Sequence, residues 1–224
     1  MQIRRADSGP DLSRERALEA LGYRAIAGVD EVGRGSWAGP VVAAAVVLPA
    51  HLDPSSLDGV RDSKRLTPRQ RTDLFPRIEA TAAALGVGWV GSRVLDRVGI
   101  VVATRRAMYR ALRALSPRPD HVLVDYLSLD FGGVPSTSVT RGDSLCLSVA
   151  CASVVAKVRR DRMMMRWGRR FPGYGFARHK GYGTPEHREA LSRLGPCALH
   201  RRSFEPVARV DGARAAGARP DGAA

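Results

Sequence analysis

The chain has 224 residues, of which 44% are hydrophobic and 26% are charged, a composition typical of a folded globular protein. Its longest apolar runs, such as 41–48, are far shorter than the roughly 20 residues of a membrane-spanning helix, which excludes a helical membrane protein. Residues 1–16 carry charges of both signs and no apolar run, so they do not resemble a secretory signal, and we expect a cytoplasmic protein.

The net charge of +14 suggests a polyanionic partner, because Lys and Arg side chains gain free energy by displacing counterions from phosphates. A bias in genome base composition is an alternative explanation, since 33 of the 36 basic residues are Arg. The location of the charge is therefore more informative than its total. Residues 157–202 contain thirteen basic and three acidic residues, so the positive charge is concentrated in this segment.

The first half of the chain predicts strands followed by helices. Residues 1–23 lack sustained periodicity and predict a loose N-terminal segment. Two Val-rich runs, 25–32 and 40–48, flank a Gly-rich turn and predict a pair of buried strands. Thr67 and Pro68 predict the start of a helix toward Leu85, with a break or kink at Pro76. A strand at 87–90 and a helix at 100–115 follow.

The second half predicts one more buried strand and a group of basic helices. The strand covers 121–125, a long helix covers 144–167, and Thr184 and Pro185 start another helix that ends near Gly195. Residues 207–224 predict a disordered tail. The pattern indicates an α/β fold, a mixed sheet flanked by helices, in a single domain over 24–206 whose C-terminal part, about 160–206, is helical.

Acidic residues interrupt apolar elements at three separate places. Asp30 and Glu31 lie in the first predicted strand, Asp125 ends the strand at 121–125, and Asp143 directly precedes the long helix. Burying an ionised carboxylate is costly unless it is paired or binds a cation. If the two strands are neighbours, these acids could converge on hard cations such as Mg²⁺, which suits two-metal hydrolysis of a phosphodiester. Asp143 could instead be only a helix N-cap, and Asp125 could only end a strand at a turn.

Gly33, Arg34 and Gly35 follow the acidic pair directly in the sequence. Glycines let a backbone approach a ligand closely, so this turn could contact a sugar or phosphate while Arg34 contributes charge. A simple hairpin turn is the alternative interpretation.

Lysine is rare in this chain, at positions 64, 157 and 180 only. It is a compact point charge that reaches a phosphate without the planar fork of Arg, although three cases can also arise by chance. Tyr182, between two glycines, could stack on a base or sugar, and core packing is the alternative. The cysteine and histidine spacings do not match a zinc site.

Taken together, these motifs closely resemble the bacterial ribonuclease HII family. They are A-G-V-D-E-V-G-R-G at 27–35, D-S-K-R-L at 62–66, V-L-V-D at 122–125, R-G-D at 141–143, A-K-V-R-R-D at 156–161 and Y-G-F to H-K-G-Y-G-T at 174–184. The resemblance covers about residues 25–207 and implies a ribonuclease H-like sheet with a C-terminal helical extension. It also implies a Mg²⁺- or Mn²⁺-dependent endonuclease acting on RNA joined to or paired with DNA.

The resemblance assigns roles to particular residues. The four catalytic, metal-binding acids would be Asp30, Glu31, Asp125 and Asp143. Cleavage on the 5′ side of a ribonucleotide would leave a 3′-hydroxyl and a 5′-phosphate. The substrate-binding residues would be the junction-recognising Gly33, Arg34, Gly35 and Tyr182, with Lys64 and Lys180 as candidate phosphate contacts.

The resemblance has one local departure, since Tyr126 follows Asp125 where the family usually has Gly. We expect a monomer whose partners are RNA/DNA hybrids and DNA containing ribonucleotides. A non-catalytic nucleic-acid-binding module on the same fold is the alternative. It predicts salt-sensitive binding without cleavage, and an Asp30→Asn variant with nearly unchanged properties.

Overall fold

The structure is a computed structural model that describes residues 9–127 and 129–217. The strands of this part are β1 (Ile26–Val32), β2 (Val41–Val47), β3 (Ala84–Val90), β4 (His121–Asp125) and β5 (Ser136–Val139). Its α-helices are α1 (Ser13–Ala20), α2 (Pro68–Thr81), α3 (Ser92–Arg113), α4 (Gly142–Leu145), α5 (Leu147–Arg170), α6 (Phe176–His179), α7 (Pro185–Leu194) and α8 (Glu205–Gly217). No helix in the described ranges is long and apolar enough to cross a membrane.

The strands form one mixed sheet in the order β3-β2-β1-β4-β5. β1 is antiparallel to β2 and parallel to β4, and β4 is parallel to β5. Every residue of β2 is buried, which explains a continuous apolar run without alternation. The predicted α/β fold with a mixed sheet and flanking helices is confirmed.

The described residues fall into two compact units. The first unit contains nearly the whole sheet with α1, α2 and α5 as far as Arg159, and its core packs α2 and α5 residues with those of β2. The second unit comprises Gly33–Val41, Val90–Ala103 and the described chain from Arg160 onward. Its core includes Met164, Tyr174 and Phe176. The boundaries predicted for a single domain, 24–206, stay a prediction.

The described parts of both chain ends differ from the predicted loose segments. In α1, the buried Glu15 carboxylate accepts hydrogen bonds from the N–H of Ser148 at 2.9 Å and its hydroxyl at 2.6 Å. Helix α8 covers 205–217, and its Val207 is fully buried. Such long-range contacts cannot be read from local periodicity. Residues 1–8 and 218–224 of the two predicted segments lie outside the described residues.

Helix α2 continues through Pro76, so of the predicted break or kink the break is wrong and the kink stays a prediction. Thr67 and Gln70 form a capping box at its start, and Phe75 and Ile78 are buried, so packing and capping stabilise a helix that lacks one hydrogen bond at proline. The helix ends at Thr81 rather than near Leu85, because the chain enters β3 at Ala84.

Candidate active site

Adjacent positions on the parallel strands β1 and β4 carry two acids in the first unit. The last registered pair of these parallel strands is Val29 with Val124, and the next residue on each strand is an Asp. Asp30 is only 6% exposed, and its Oδ1 accepts a hydrogen bond from the N–H of Glu31 at 2.7 Å. Parallel register therefore brings together two residues that lie 95 positions apart in the sequence.

The third acidic position reaches the same place through a backbone contact. Asp125 Oδ1 accepts a hydrogen bond of 2.9 Å from the N–H of Gly142, and Asp143 is the next residue, in the first turn of α4. Asp143 is buried and lies inside the first turn of α4, so it is not the N-cap residue of that helix. The N-cap residue is Arg141. The alternative of a simple N-cap is therefore wrong.

Glycine lets the acid-bearing strand approach α5 closely. A Cβ at Gly28 would lie 2.3 Å from the backbone carbonyl carbon of Ser148 and 2.4 Å from the N of Val149. These are backbone atoms that cannot move aside without shifting the helix. The glycine of the A-G-V-D-E motif thus sets the packing of the strand two residues before Asp30.

Mutual repulsion marks the acids as one electrostatic cluster. Burial and then the charge of Glu31 raise the pKa of Asp30 well above its ordinary value, with smaller contributions from Asp125 and Asp143. Burial, followed by the charges of Asp62 and Asp125, also raises the pKa of Asp143. A cluster of this kind favours the binding of a cation, which would relieve both the repulsion and the desolvation.

Lys64 lies beside this cluster. Its Nζ is 3.9 Å from Asp143 Oδ2. Burial alone lowers the pKa of Lys64, but the neighbouring acids more than offset this effect and raise it above its ordinary value. The side chain is 83% exposed, so its ammonium can still reach a phosphate.

Asp62 and Arg71 belong to the surroundings of the site although the sequence analysis assigned neither a role. Asp62 shares a hydrogen bond with Asp143, and its carboxylate also accepts a hydrogen bond from the N–H of Lys64 at 2.9 Å. Arg71 is buried and donates to the carbonyl oxygens of Ser63, at 2.7 Å, and Leu66, which fixes the turn that carries Lys64. The D-S-K motif could have indicated Asp62, whereas nothing local indicated Arg71.

Tyr126, which follows Asp125, has a left-handed backbone conformation with φ of 62° and a side chain that is 72% exposed. Left-handed φ favours glycine, which explains why Gly suits this position. Tyr126 places an exposed ring next to Asp125.

Oxygen ligands fit Mg²⁺ or Mn²⁺, and the repulsion within the acidic cluster is the observation that supports such an ion. Within the described ranges, no group of three or more His, Cys, Asp or Glu side chains is placed to hold a metal ion. This arrangement still fits Mg²⁺, because that ion usually binds through one or two carboxylates and completes its shell with water and phosphate oxygens.

The predicted substrate residues of the second unit form two linked loops. The N–H groups of Trp37 and Ala38 donate to the carbonyl oxygen of Gly181, at 2.8 and 3.2 Å. The turn at 33–35 is thereby linked, through its continuation, to the loop of Lys180 and Tyr182. Gly33 is buried, with φ of 89°, whereas Gly35 is exposed.

Lys180 and Tyr182 have defined local contacts. The Lys180 ammonium donates to the carbonyl oxygens of Ala177 and Arg178 at the end of α6, so in this conformation its head group stabilises its own loop. The Tyr182 carbonyl oxygen lies 2.9 Å from Nδ1 of His187, and its ring centroid lies 5.3 Å from Cζ of Arg160. The roles of both residues toward substrate stay predictions.

Two of the thirteen basic residues counted at 157–202 are not on the surface. Arg160 and Arg201 are fully buried. The positive charge that this segment presents to solvent is therefore smaller than its count of basic residues indicates.

The mixed sheet, with acids at the adjacent ends of two parallel strands, defines a nuclease of the ribonuclease H class. The family model for ribonuclease HII matches residues 27–207, so the chain belongs to the ribonuclease HII family. It is a ribonuclease H enzyme, an endonuclease that acts on nucleic acid, and the ribonuclease H family is metal-dependent.

Named relatives and solved structures agree with this membership. The chain is 54% identical over 202 residues to the ribonuclease HII of Roseiflexus castenholzii, covering 89% of this chain and 90% of the relative. The crystal structure of ribonuclease H2 from Pyrococcus horikoshii is similar, with a TM-score of 0.72, 26% identity, and coverage of 84% and 97%. Bst-RNase HIII, solved in complex with Mn²⁺, shares the fold at 20% identity, with a TM-score of 0.68 and coverage of 88% and 72%.

Proposed function

We propose that this enzyme hydrolyses the RNA strand of RNA/DNA hybrids and nicks duplex DNA on the 5′ side of embedded ribonucleotides. The products would carry 3′-hydroxyl and 5′-phosphate ends. The observation that carries the proposal is the cluster of Asp30, Glu31, Asp125 and Asp143, whose charges interact across elements far apart in the sequence. We also propose that the enzyme acts in the cytoplasm, the location that the sequence predicts.

In this proposal the four acids hold Mg²⁺ or Mn²⁺. Two such ions, when bound, supply an activated water and stabilise the leaving oxygen of a phosphodiester. The task of the chain is to hold its carboxylates in place, while a bound cation would relieve the repulsion that raises the pKa of Asp30 and Asp143. The hydrogen bonds from the N–H of Glu31 to Asp30 and from the N–H of Gly142 to Asp125 fix the orientation of the two carboxylates. Lys64, beside Asp143, would bind a substrate phosphate.

The turn at Gly33, Arg34 and Gly35, together with Tyr182 and Lys180, would recognise the junction between a ribonucleotide and the next deoxynucleotide. Telling RNA from DNA requires contact with the 2′-hydroxyl, which is both a donor and an acceptor. Gly35 supports a backbone contact of this kind, because a Cβ at this position would have no atom within 4 Å. Tyr182 would stack on a sugar or base.

The test is a cleavage assay on a DNA duplex with one embedded ribonucleotide, with an all-DNA duplex of the same sequence as the control. With Mg²⁺ or Mn²⁺ we expect one cut on the 5′ side of the ribonucleotide, no cut in the control, and none in either duplex when EDTA is added. End mapping should give a 3′-hydroxyl and a 5′-phosphate. Cleavage that persists in EDTA, or a 2′,3′-cyclic phosphate product, would contradict the proposal.

A further inference from the structure

Arg160 and Arg201 in the second unit are both fully buried. A buried charge is costly unless it is paired or fully hydrogen-bonded. Neither guanidinium forms an ion pair with a carboxylate in the part of the chain that the structure describes. The retention of two such groups in one small unit therefore calls for a specific role.

All of the guanidinium hydrogen bonds of Arg201 go to the segment that follows β1. Its Nε donates to the carbonyl oxygen of Gly39 at 3.0 Å, and its two terminal nitrogens donate to those of Gly33 and Arg34, each at 2.6 Å. Because a trans peptide directs its C=O and N–H oppositely, the N–H of Gly35 points away from this guanidinium. Arg201 thus sets the orientation of the peptide groups in the turn proposed to contact the ribose.

Arg160 joins the same segment to the Lys180 loop. Its Nε donates to the carbonyl oxygen of Pro40 at 3.0 Å, and one terminal nitrogen donates to the Ser36 hydroxyl at 2.9 Å and to the Ala38 carbonyl oxygen at 3.2 Å. The other terminal nitrogen donates to the carbonyl oxygen of Lys180 at 3.0 Å. One guanidinium therefore joins the two loops to which the proposed function assigns recognition of the junction.

The two cations also act on each other. Burial and then the charge of Arg160 lower the pKa of Arg201 to about 9, so Arg201 stays protonated at neutral pH. Backbone carbonyl oxygens accept nearly all of the hydrogen bonds from the pair, and the charges of Asp96 and Asp161 also favour the protonated forms. Each planar guanidinium donates hydrogen bonds to several carbonyl oxygens at once. The single ammonium of a lysine at the same position cannot reproduce this geometry.

We propose that Arg160 and Arg201 are positioning residues that set the selectivity of the enzyme for the RNA–DNA junction, by holding the 33–35 turn and the Lys180–Tyr182 loop in one fixed arrangement. The inference rests on the proposed function, because it assigns junction recognition to those two loops. Neither arginine touches the substrate in this account. Their effect is transmitted through the backbone carbonyls that they bind.

The test compares kcat/KM on a duplex with one embedded ribonucleotide with kcat/KM on a duplex whose cleaved strand is entirely RNA. The ratio of the two values measures junction selectivity and does not change when only the folded fraction falls. Arg201→Lys and Arg160→Lys should each move this ratio at least tenfold toward one. The exposed Arg106 on α3 provides the matched control, and Arg106→Lys should keep the wild-type ratio within twofold.

The outcomes separate the two proposals. A wild-type ratio near one would contradict junction recognition in the proposed function itself. A selective wild type, with Lys variants that are active and equally selective, would overturn only the positioning role. Thermal unfolding of each variant is measured in parallel. If both Lys variants fail to fold, the arginines are structural only and the inference is wrong.

Discussion

The substitution Gly33→Ala separates the two glycines of the G-R-G turn. A Cβ at position 33 would lie 2.1 Å from Nε of Arg160 and 2.8 Å from its Cζ. The guanidinium cannot retreat easily, because its hydrogen bonds to Pro40, Ser36 and Lys180 hold it in place. Gly33 also has φ of 89°, a conformation that alanine adopts only with strain.

The expected destabilisation follows from these two costs. The left-handed backbone costs roughly 1–2 kcal/mol for a residue with a Cβ. Overpacking against the buried guanidinium adds about 1–3 kcal/mol. A total of about 3 kcal/mol corresponds to a fall in Tm of about 6–12 °C for a chain of this size.

Gly35→Ala is the matched control for stability, because a Cβ at position 35 would meet no atom within 4 Å and Gly35 does not have a positive φ. We expect its Tm to change by less than about 2 °C, since exposed substitutions usually stay within about 0.5 kcal/mol. Its kcat/KM on the single-ribonucleotide duplex should instead fall about tenfold, the equivalent of about one hydrogen bond. Equal Tm values for the two variants would refute the packing role of Gly33, and an unchanged kcat/KM in Gly35→Ala would refute the substrate contact at Gly35.

Three further substitutions test other parts of the account. Asp125→Asn keeps an oxygen that can accept the hydrogen bond from the N–H of Gly142, so the variant should fold and bind an RNA/DNA hybrid. Its kcat should fall at least about 100-fold. Loss of hybrid binding with turnover retained would contradict a metal-holding role. Tyr182→Ala should reduce the selectivity for the single-ribonucleotide duplex more than it reduces Tm; a variant as selective as the wild type would exclude stacking. Burial lowers the pKa of His187 to about 4 and that of His200 to about 3. In the unfolded state the histidine pKa is near 6.5, so the unfolded state binds more protons than the folded state below that pH. The free energy of unfolding should therefore fall as the pH drops below 6.5, by up to about 1.4 kcal/mol per pH unit for each histidine. Urea unfolding at pH 7, 6 and 5 measures this slope, which should be shallower in His187→Asn, and an identical slope in the variant would contradict the assignment.

Much of the fold could be predicted because the strands bear local signals. The Val-rich runs predicted β1 and β2 within one residue at each end, and the apolar run before Asp125 predicted β4 with its observed bounds. β5, with the sequence S-T-S-V, has no apolar run, and its pairing with β4 could not be inferred from its own residues. Helix α1 was missed for a similar reason, since the partner of its Glu15 lies 133 residues away.

The candidate site is predictable wherever a residue breaks a local pattern. Acids in buried strands are conspicuous, and the sequence alone identifies Asp30 and Asp125 on that ground. Arg160 and Arg201 have no such signal, because a buried Arg among many arginines looks like part of a basic surface. Only their hydrogen bonds to carbonyl oxygens of distant residues distinguish them.

The most direct test of the acidic cluster is Mn²⁺ binding to the folded protein, measured by electron paramagnetic resonance in the absence of nucleic acid. Asp30→Asn retains an oxygen that can accept the hydrogen bond from the N–H of Glu31, and Asp73→Asn, at an exposed position on α2, is the control. We predict that Asp30→Asn weakens Mn²⁺ binding at least tenfold while Asp73→Asn binds like the wild type. Wild-type affinity in a folded Asp30→Asn protein would contradict the claim that these carboxylates hold the metal.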